Sequence, residues 1–130
     1  MSRRSHPVDG VLPLFEMALQ IEQAKMAQIN ARIAQLTQQL KDLDRPHHVD
    51  QNALSPARRA GADMRWNTWA EARRGLLRQE IAKAMAQRAD HAQVLTRALA
   101  KKEAARSLSK KMRVQRQKTI ARRASLHDEL

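Results

Sequence analysis

The sequence predicts an all-α protein: an antiparallel two-helix coiled-coil hairpin, elongated, with the second helix longer than the first. Three observations carry that prediction. The apolar residues are mostly Ala, Leu, Met and Ile, set among abundant Gln, Lys and Arg, all strong helix formers. Two tryptophans, one phenylalanine and no tyrosine are too few aromatics for a conventional globular core or for many strands. A single polar, proline-bearing stretch then divides the chain into two long segments free of strong helix breakers. With 130 residues there is room for one domain of ordinary size.

Residues 1–11 read as a disordered N-terminal segment. A heptad begins at Leu12. Leu12, Phe15, Leu19, Met26, Ile29, Ile33, Leu36, Leu40 and Leu43 advance by alternating threes and fours, with Glu22 the one polar interruption. Such spacing is the signature of a coiled-coil seam. The first helix is therefore placed at 12–43, about 45 Å long at 1.5 Å per residue, with Pro13 accommodated in its first turn.

Asp44-Arg45-Pro46 stops that helix, and 44–63 reads as a connector. Within it, Ser55-Pro56 offers an N-cap followed by a proline at the first helical position, and Gly61 with Asp63 offers a second start. From 64 to 127 only Gly75 weakens a helix, at a cost of about 1 kcal/mol relative to Ala. Leu77, Ile81, Ala84, Leu95, Ala98, Ala105 and Met112 fit one frame, interrupted by Arg88, His91 and Lys102. Val94, Leu99, Leu108, Ile120 and Leu126 are read as falling off it, which suggests a partner face that changes along the helix or a bend.

The two helices differ in extent. Folded back as a hairpin, the first covers only the nearer half of the second, so from about Leu99 onward the second is expected to lack an intrachain partner. A lone helix gains little from propensity and relies on packing, so the overhang calls for another surface. Charge divides the same way. Formal net charge is +12, which attracts nucleic acid, anionic lipid or acidic protein without choosing among them. Residues 14–44 carry three basic and four acidic side chains, whereas 97–123 carry eleven basic ones against Glu103 alone. Like charges at i,i+4 (Arg97–Lys101, Lys102–Arg106, Lys118–Arg122) repel by a few tenths of a kcal/mol each, roughly, and an acidic partner relieves that.

Several classes are excluded or disfavoured. Without cysteine there is neither disulfide nor thiolate metal site. No apolar run approaches a membrane span. Val11-Leu12-Pro13-Leu14-Phe15 is too short, and too soon followed by Glu16, for a secretory leader, so a cytoplasmic protein is expected. His127-Asp128-Glu129-Leu130 spells a retention signal of the endoplasmic reticulum and is read as a chance match at a fraying helix end, because no leader into that lumen is visible.

Carboxylates are sparse, and the chain has no Gly-rich phosphate loop, HExxH or nucleophile elbow, so no catalytic residue and no cofactor are assigned. His47 and His48, with only Asp44 and Asp50 nearby, read as a solvated loop rather than a metal site, and His91 as a seam residue. Trp66 and Trp69 have two readings. They either cap the coil by packing on Leu40 and Leu43, or present an aromatic anchor to a partner beside Arg65, Arg73, Arg74, Leu76 and Leu77. The basic stretch lacks an aromatic for base stacking and the Asn and Arg arrangement of a basic-zipper reader, which disfavours nucleic acid. Leu108, Met112, Ile120 and Leu126 make too thin an apolar face for membrane binding.

Several segments resemble one family. Leu12-Pro13-Leu14 precedes a long helix, and Arg65-Trp66-Asn67-Thr68-Trp69 opens the second. Leu76 and Ile81-Ala82-Lys83-Ala84 follow, and Lys101-Lys102-Glu103-Ala104-Ala105-Arg106 leads into a Gln- and Arg-rich end. Across about residues 12–126 the chain resembles the FliJ family of flagellar export proteins and their YscO-type counterparts in type III secretion. It departs from them at Pro46 and Pro56, where the family's first helix would continue.

That resemblance implies an antiparallel two-helix coiled coil like the stalk of a rotary ATPase. It would insert its terminal ends into the hexameric export ATPase and contact the cytoplasmic domain of the export gate and the export chaperones. The implied ATPase-docking residues are Arg106, Lys110, Lys111, Arg113, Arg116, Lys118, Arg122 and Arg123. The implied gate- or chaperone-binding residues are Trp66, Trp69, Ala72, Arg73, Leu76 and Leu77. The expected function is thus a non-enzymatic, cytoplasmic stalk or adaptor peripheral to the membrane-embedded export machinery. The alternatives are a nucleic-acid-binding basic coiled coil and a homodimeric structural coil.

Overall fold

A computed structural model describes residues 7–45 and 55–128, with the side chains from 10 onward in the first of these stretches. The protein is all-α, an antiparallel two-helix hairpin. Helix α1 spans Pro7–Asp42 (36 residues) and helix α2 spans Pro56–Asp128 (73 residues). No strand occurs among the described residues.

Both helices begin earlier than the sequence led us to expect. α1 starts at Pro7 instead of Leu12, so Pro13 lies inside the helix and not in its first turn. Its missing N–H leaves the carbonyl four residues back without a helical donor, a local cost that the seam beyond it outweighs. α2 starts at Pro56 instead of 64, so residues 56–63 are helical and not connector. The Ser55 side chain caps the new start, accepting a hydrogen bond from the Arg58 N–H at 3.3 Å, while the Ser55 carbonyl accepts from Arg59 at 2.9 Å. With that cap in place Gly61 is carried within the helix. The histidine pair 47–48 and the remainder of the expected connector, 46–54, lie outside the described residues.

The chain divides into two compact units, residues 26–90 and residues 1–25 with 91–130. In the first, Leu36, Leu43 and Leu77 form a buried cluster, with Leu40, Trp66 and Ile81 packed against it. Ile33, Ala70 and Ala84 are also buried. α2 thus contributes both large side chains (Trp66, Leu77, Ile81) and small ones (Ala70, Ala84) to this unit's interior. Leu36 and Leu77 are the most completely buried, at 2% and 1% exposure, each contributing about 1.5–3 kcal/mol of apolar burial. The C-terminal end of α1 is held by Arg74, whose Nη2 donates to the Leu43 carbonyl at 3.2 Å and lies 3.3 Å from the Asp44 carboxylate. A cation there satisfies a terminal carbonyl and complements the helix dipole. Arg32 and Glu80 face each other at 3.4 Å across the same pair of helices.

In the second unit, Leu19, Ala105 and Ser109 are buried, and Leu12, Phe15, Leu95, Ala98 and Met112 are half-buried. Lys102 belongs to this seam too. Its stem is largely covered while its ammonium reaches Glu103 at 3.2 Å, the behaviour of an amphipathic side chain. The antiparallel register is visible in the polar contacts, for Glu22 meets His91 and Glu16 meets Arg106.

Candidate functional site

The feature that sets this chain apart from a plain hairpin is the surplus of α2. Burial on α2 persists through Ala105 and Ser109 and ends with the half-buried Met112, whereas every residue from Arg113 to Asp128 is exposed. The overhang therefore starts about two heptads later than the expected Leu99. The cause is the register of the pair: Glu16 of α1 stands beside Arg106, so the N-terminal part of α1 covers α2 well past Leu99. Residues 113–128 hold Arg113, Arg116, Lys118, Arg122 and Arg123 against one carboxylate side chain, Asp128.

The expected docking set falls into two groups. Arg106 lies in the covered part and is already engaged, 4.0 Å from Glu16 of α1 and 4.0 Å from Glu103. Lys110, Lys111, Arg113, Arg116, Lys118, Arg122 and Arg123 are exposed, on one continuous stretch of helix. All carry long side chains free to meet carboxylates or phosphates. The overhang contains no Phe, Trp or Tyr.

The second expected set is also divided. Leu77 is 1% exposed and belongs to the interior, while Trp66 is half-buried and packs on the Leu36–Leu43–Leu77 cluster. Trp69, by contrast, is 52% exposed, its ring centroid 5.0 Å from that of Trp66 and tilted by 38°. Trp66 thus follows the packing reading, and Trp69 is the exposed member of the pair. Trp69, Ala72, Arg73 and Leu76 lie at i, i+3, i+4 and i+7, one helix face, on which Ala72 and Leu76 are exposed and Arg73 is half-buried.

One polar contact was not anticipated. Glu22, the interruption in the α1 seam, meets His91, an interruption in the α2 seam. The His91 Nε2–H donates to the Glu22 carbonyl at 2.8 Å, and since a carbonyl only accepts, that nitrogen carries its proton. The ring N–H is committed there, so the Glu22 Oε2, 3.2 Å away, is buried beside the imidazole without a hydrogen bond. Lys25 donates to the other oxygen, Oε1, at 3.4 Å. The signal was available in the sequence, because polar gaps in two antiparallel seams are satisfied most readily by each other.

Among the described residues no three His, Asp or Glu side chains are grouped so as to hold a metal ion, and no helix is long and apolar enough to cross a membrane. No family model, curated protein or solved structure matches the chain.

Proposed function

We propose that this chain is a non-enzymatic stalk or adaptor of a bacterial flagellar or related type III protein export apparatus. The basic overhang docks electrostatically onto an acidic surface of the hexameric export ATPase. The exposed Trp69–Leu76 face engages a second component, the export gate or a chaperone. The observation that carries this reading is the uncovered, cation-rich end of α2, residues 113–128. Supporting it is the sequence resemblance described above, together with a hairpin whose own core ends at Met112.

Two features favour an acidic protein over the other partners of a basic helix. The overhang has no Phe, Trp or Tyr, the side chains that stack most strongly on bases, which weakens the case for single strands. Pairing of two overhangs would set arginines against arginines, which opposes a homodimer. The test is the variant R113Q/R116Q/K118Q/R122Q/R123Q. Stimulation of ATP hydrolysis by the purified export ATPase is expected to be lost, and stimulation equal to that of the unaltered chain would refute the docking. A gel shift with mixed DNA and RNA in which binding stays tight at physiological salt would favour nucleic acid instead.

A further inference from the structure

We infer that the partner of the overhang is an acidic helix that lies on the seam face of α2, in line with α1, and not on the opposite face. This rests on the reading that the overhang docks on protein, and it specifies which side of the helix does so. Ser109 and Met112 are the last covered seam positions of α2. Continuing their alternation of threes and fours brings Arg116, Thr119, Arg123 and Leu126 onto the same line. The apolar strip that holds α1 thus gives way to arginines where α1 no longer covers it.

The flanks agree. Arg106 stands one position past the seam residue Ala105 and reaches Glu16 of α1 at 4.0 Å. Glu16 likewise stands one position past Phe15, so this is the flank-to-flank pairing of antiparallel coiled-coil helices. Arg113 repeats the place of Arg106 one heptad on, beyond the last covered residue. The structure therefore contains, inside its own hairpin, the contact that the next heptad leaves open: an arginine at the flank of the seam facing a carboxylate on an adjacent helix.

The two basic residue types are also sorted. In 110–123 the arginines, Arg113, Arg116, Arg122 and Arg123, all occupy seam or flanking positions. The lysines, Lys110, Lys111 and Lys118, all occupy the outer face. Guanidinium forks bind carboxylates in a fixed bidentate geometry, whereas ammonium groups act as hydrated point charges. Arginine on the inner side and lysine on the outer side is the distribution expected if close contact occurs along the seam and only long-range attraction along the back.

Two variants of the full chain separate the faces: R113Q/R116Q/R123Q on the seam side and K110Q/K111Q/K118Q on the outer side. Each removes three charges, so their long-range effects match, and glutamine keeps helix propensity. Circular dichroism checks that both retain the hairpin. The probe is a labelled helical peptide of repeated heptads bearing Glu at seam and flank positions, titrated by fluorescence anisotropy near physiological salt. The seam-side variant is expected to weaken binding by about tenfold or more, and the outer variant by no more than about threefold. Equal losses, or a larger loss from the outer variant, would overturn the assignment.

The same two variants are then compared in stimulation of the export ATPase. Loss of stimulation equal in both would leave ATPase docking standing and remove the seam face. Peptide binding that follows the expected order, with stimulation untouched by either, would leave the face standing and remove the export reading. A DNA duplex bound more tightly than the peptide, with no difference between the variants, would overturn the helix partner in favour of nucleic acid.

Discussion

Replacing Glu22 and His91 by leucine, singly and together, should give two single-variant effects of opposite sign. In Glu22→Leu the imidazole keeps its 2.8 Å bond, because its acceptor is the Glu22 backbone carbonyl and not the side chain. What is lost is a carboxylate whose Oε2 is buried without a hydrogen bond, and what is gained is an apolar side chain in a seam of apolar side chains. The Glu22 side chain is 19% exposed, so a leucine there captures most of the burial value of about 1.5–3 kcal/mol. Against this stands the Lys25 contact at 3.4 Å, with Lys25 57% exposed, an ion pair of about 0.5 kcal/mol or less. Glu22→Leu should therefore stabilise the chain by about 1–2 kcal/mol.

His91→Leu removes the imidazole from beside the buried carboxylate and deprives the Glu22 carbonyl of its side-chain donor. The lost bond, and an apolar side chain set against a carboxylate only 19% exposed, together cost about 1–3 kcal/mol, more than the leucine recovers there. The double variant should be more stable than the unaltered chain, and the pair should show a coupling of about 1 kcal/mol or more. Urea unfolding followed by helical circular dichroism measures all four forms. A Glu22→Leu chain less stable than the parent, or a His91→Leu chain at least as stable, would show that the seam tolerates the carboxylate for reasons other than those given.

The two tryptophans should respond unequally. Trp66→Ala removes a ring packed on the Leu36–Leu43–Leu77 cluster and should cost about 3 kcal/mol, while Trp69→Ala, at a position 52% exposed, should cost about 1 kcal/mol or less in the same unfolding assay. Limited trypsin digestion should cut first at Arg113, Arg116, Lys118, Arg122 or Arg123, and mass spectrometry should find a resistant fragment extending through the covered seam to about Met112.

The first helix was legible almost residue by residue. Each of the nine apolar residues of its heptad is buried or half-buried in the structure, because Leu, Ile, Met and Phe at a spacing of threes and fours have no competing arrangement that buries them. The second helix was harder to read. Its steps of seven, Ala70, Leu77, Ala84, His91, Ala98, Ala105 and Met112, are covered throughout, yet four of the seven are alanine, whose small apolar area gives a weak periodic signal. Lys102, an interruption of the expected frame, is covered, and so is Ser109, which that frame did not include. The helix starts were misjudged for a related reason. Pro13 and Gly61 act as breakers in isolation, and only the cap at Ser55 and the packing of the flanking turns show that the backbone runs through them. The length of the overhang depends on the register of the two helices, seen in Glu16 beside Arg106, and so could not be fixed from composition.

Arg74 was read only as a neighbour of the tryptophans. Its bond to the Leu43 carbonyl spans 31 positions, a distance along the chain at which no local pattern speaks. The expected docking residues beyond Met112 were legible as charge, but their sorting by type around the helix needed the observed seam.

The uncovered end of α2 grows directly out of a helix already wound against α1. Starting a helix in water requires several residues to be fixed for the sake of one hydrogen bond, whereas extending an existing one fixes a residue per bond gained. Residues 113–128 are spared the first of these penalties, because they continue the helix that begins at Pro56. A partner then receives a pre-shaped cationic rod and spends little of its binding free energy on ordering it, so affinity should depend on where its carboxylates stand along their own helix more than on how many there are.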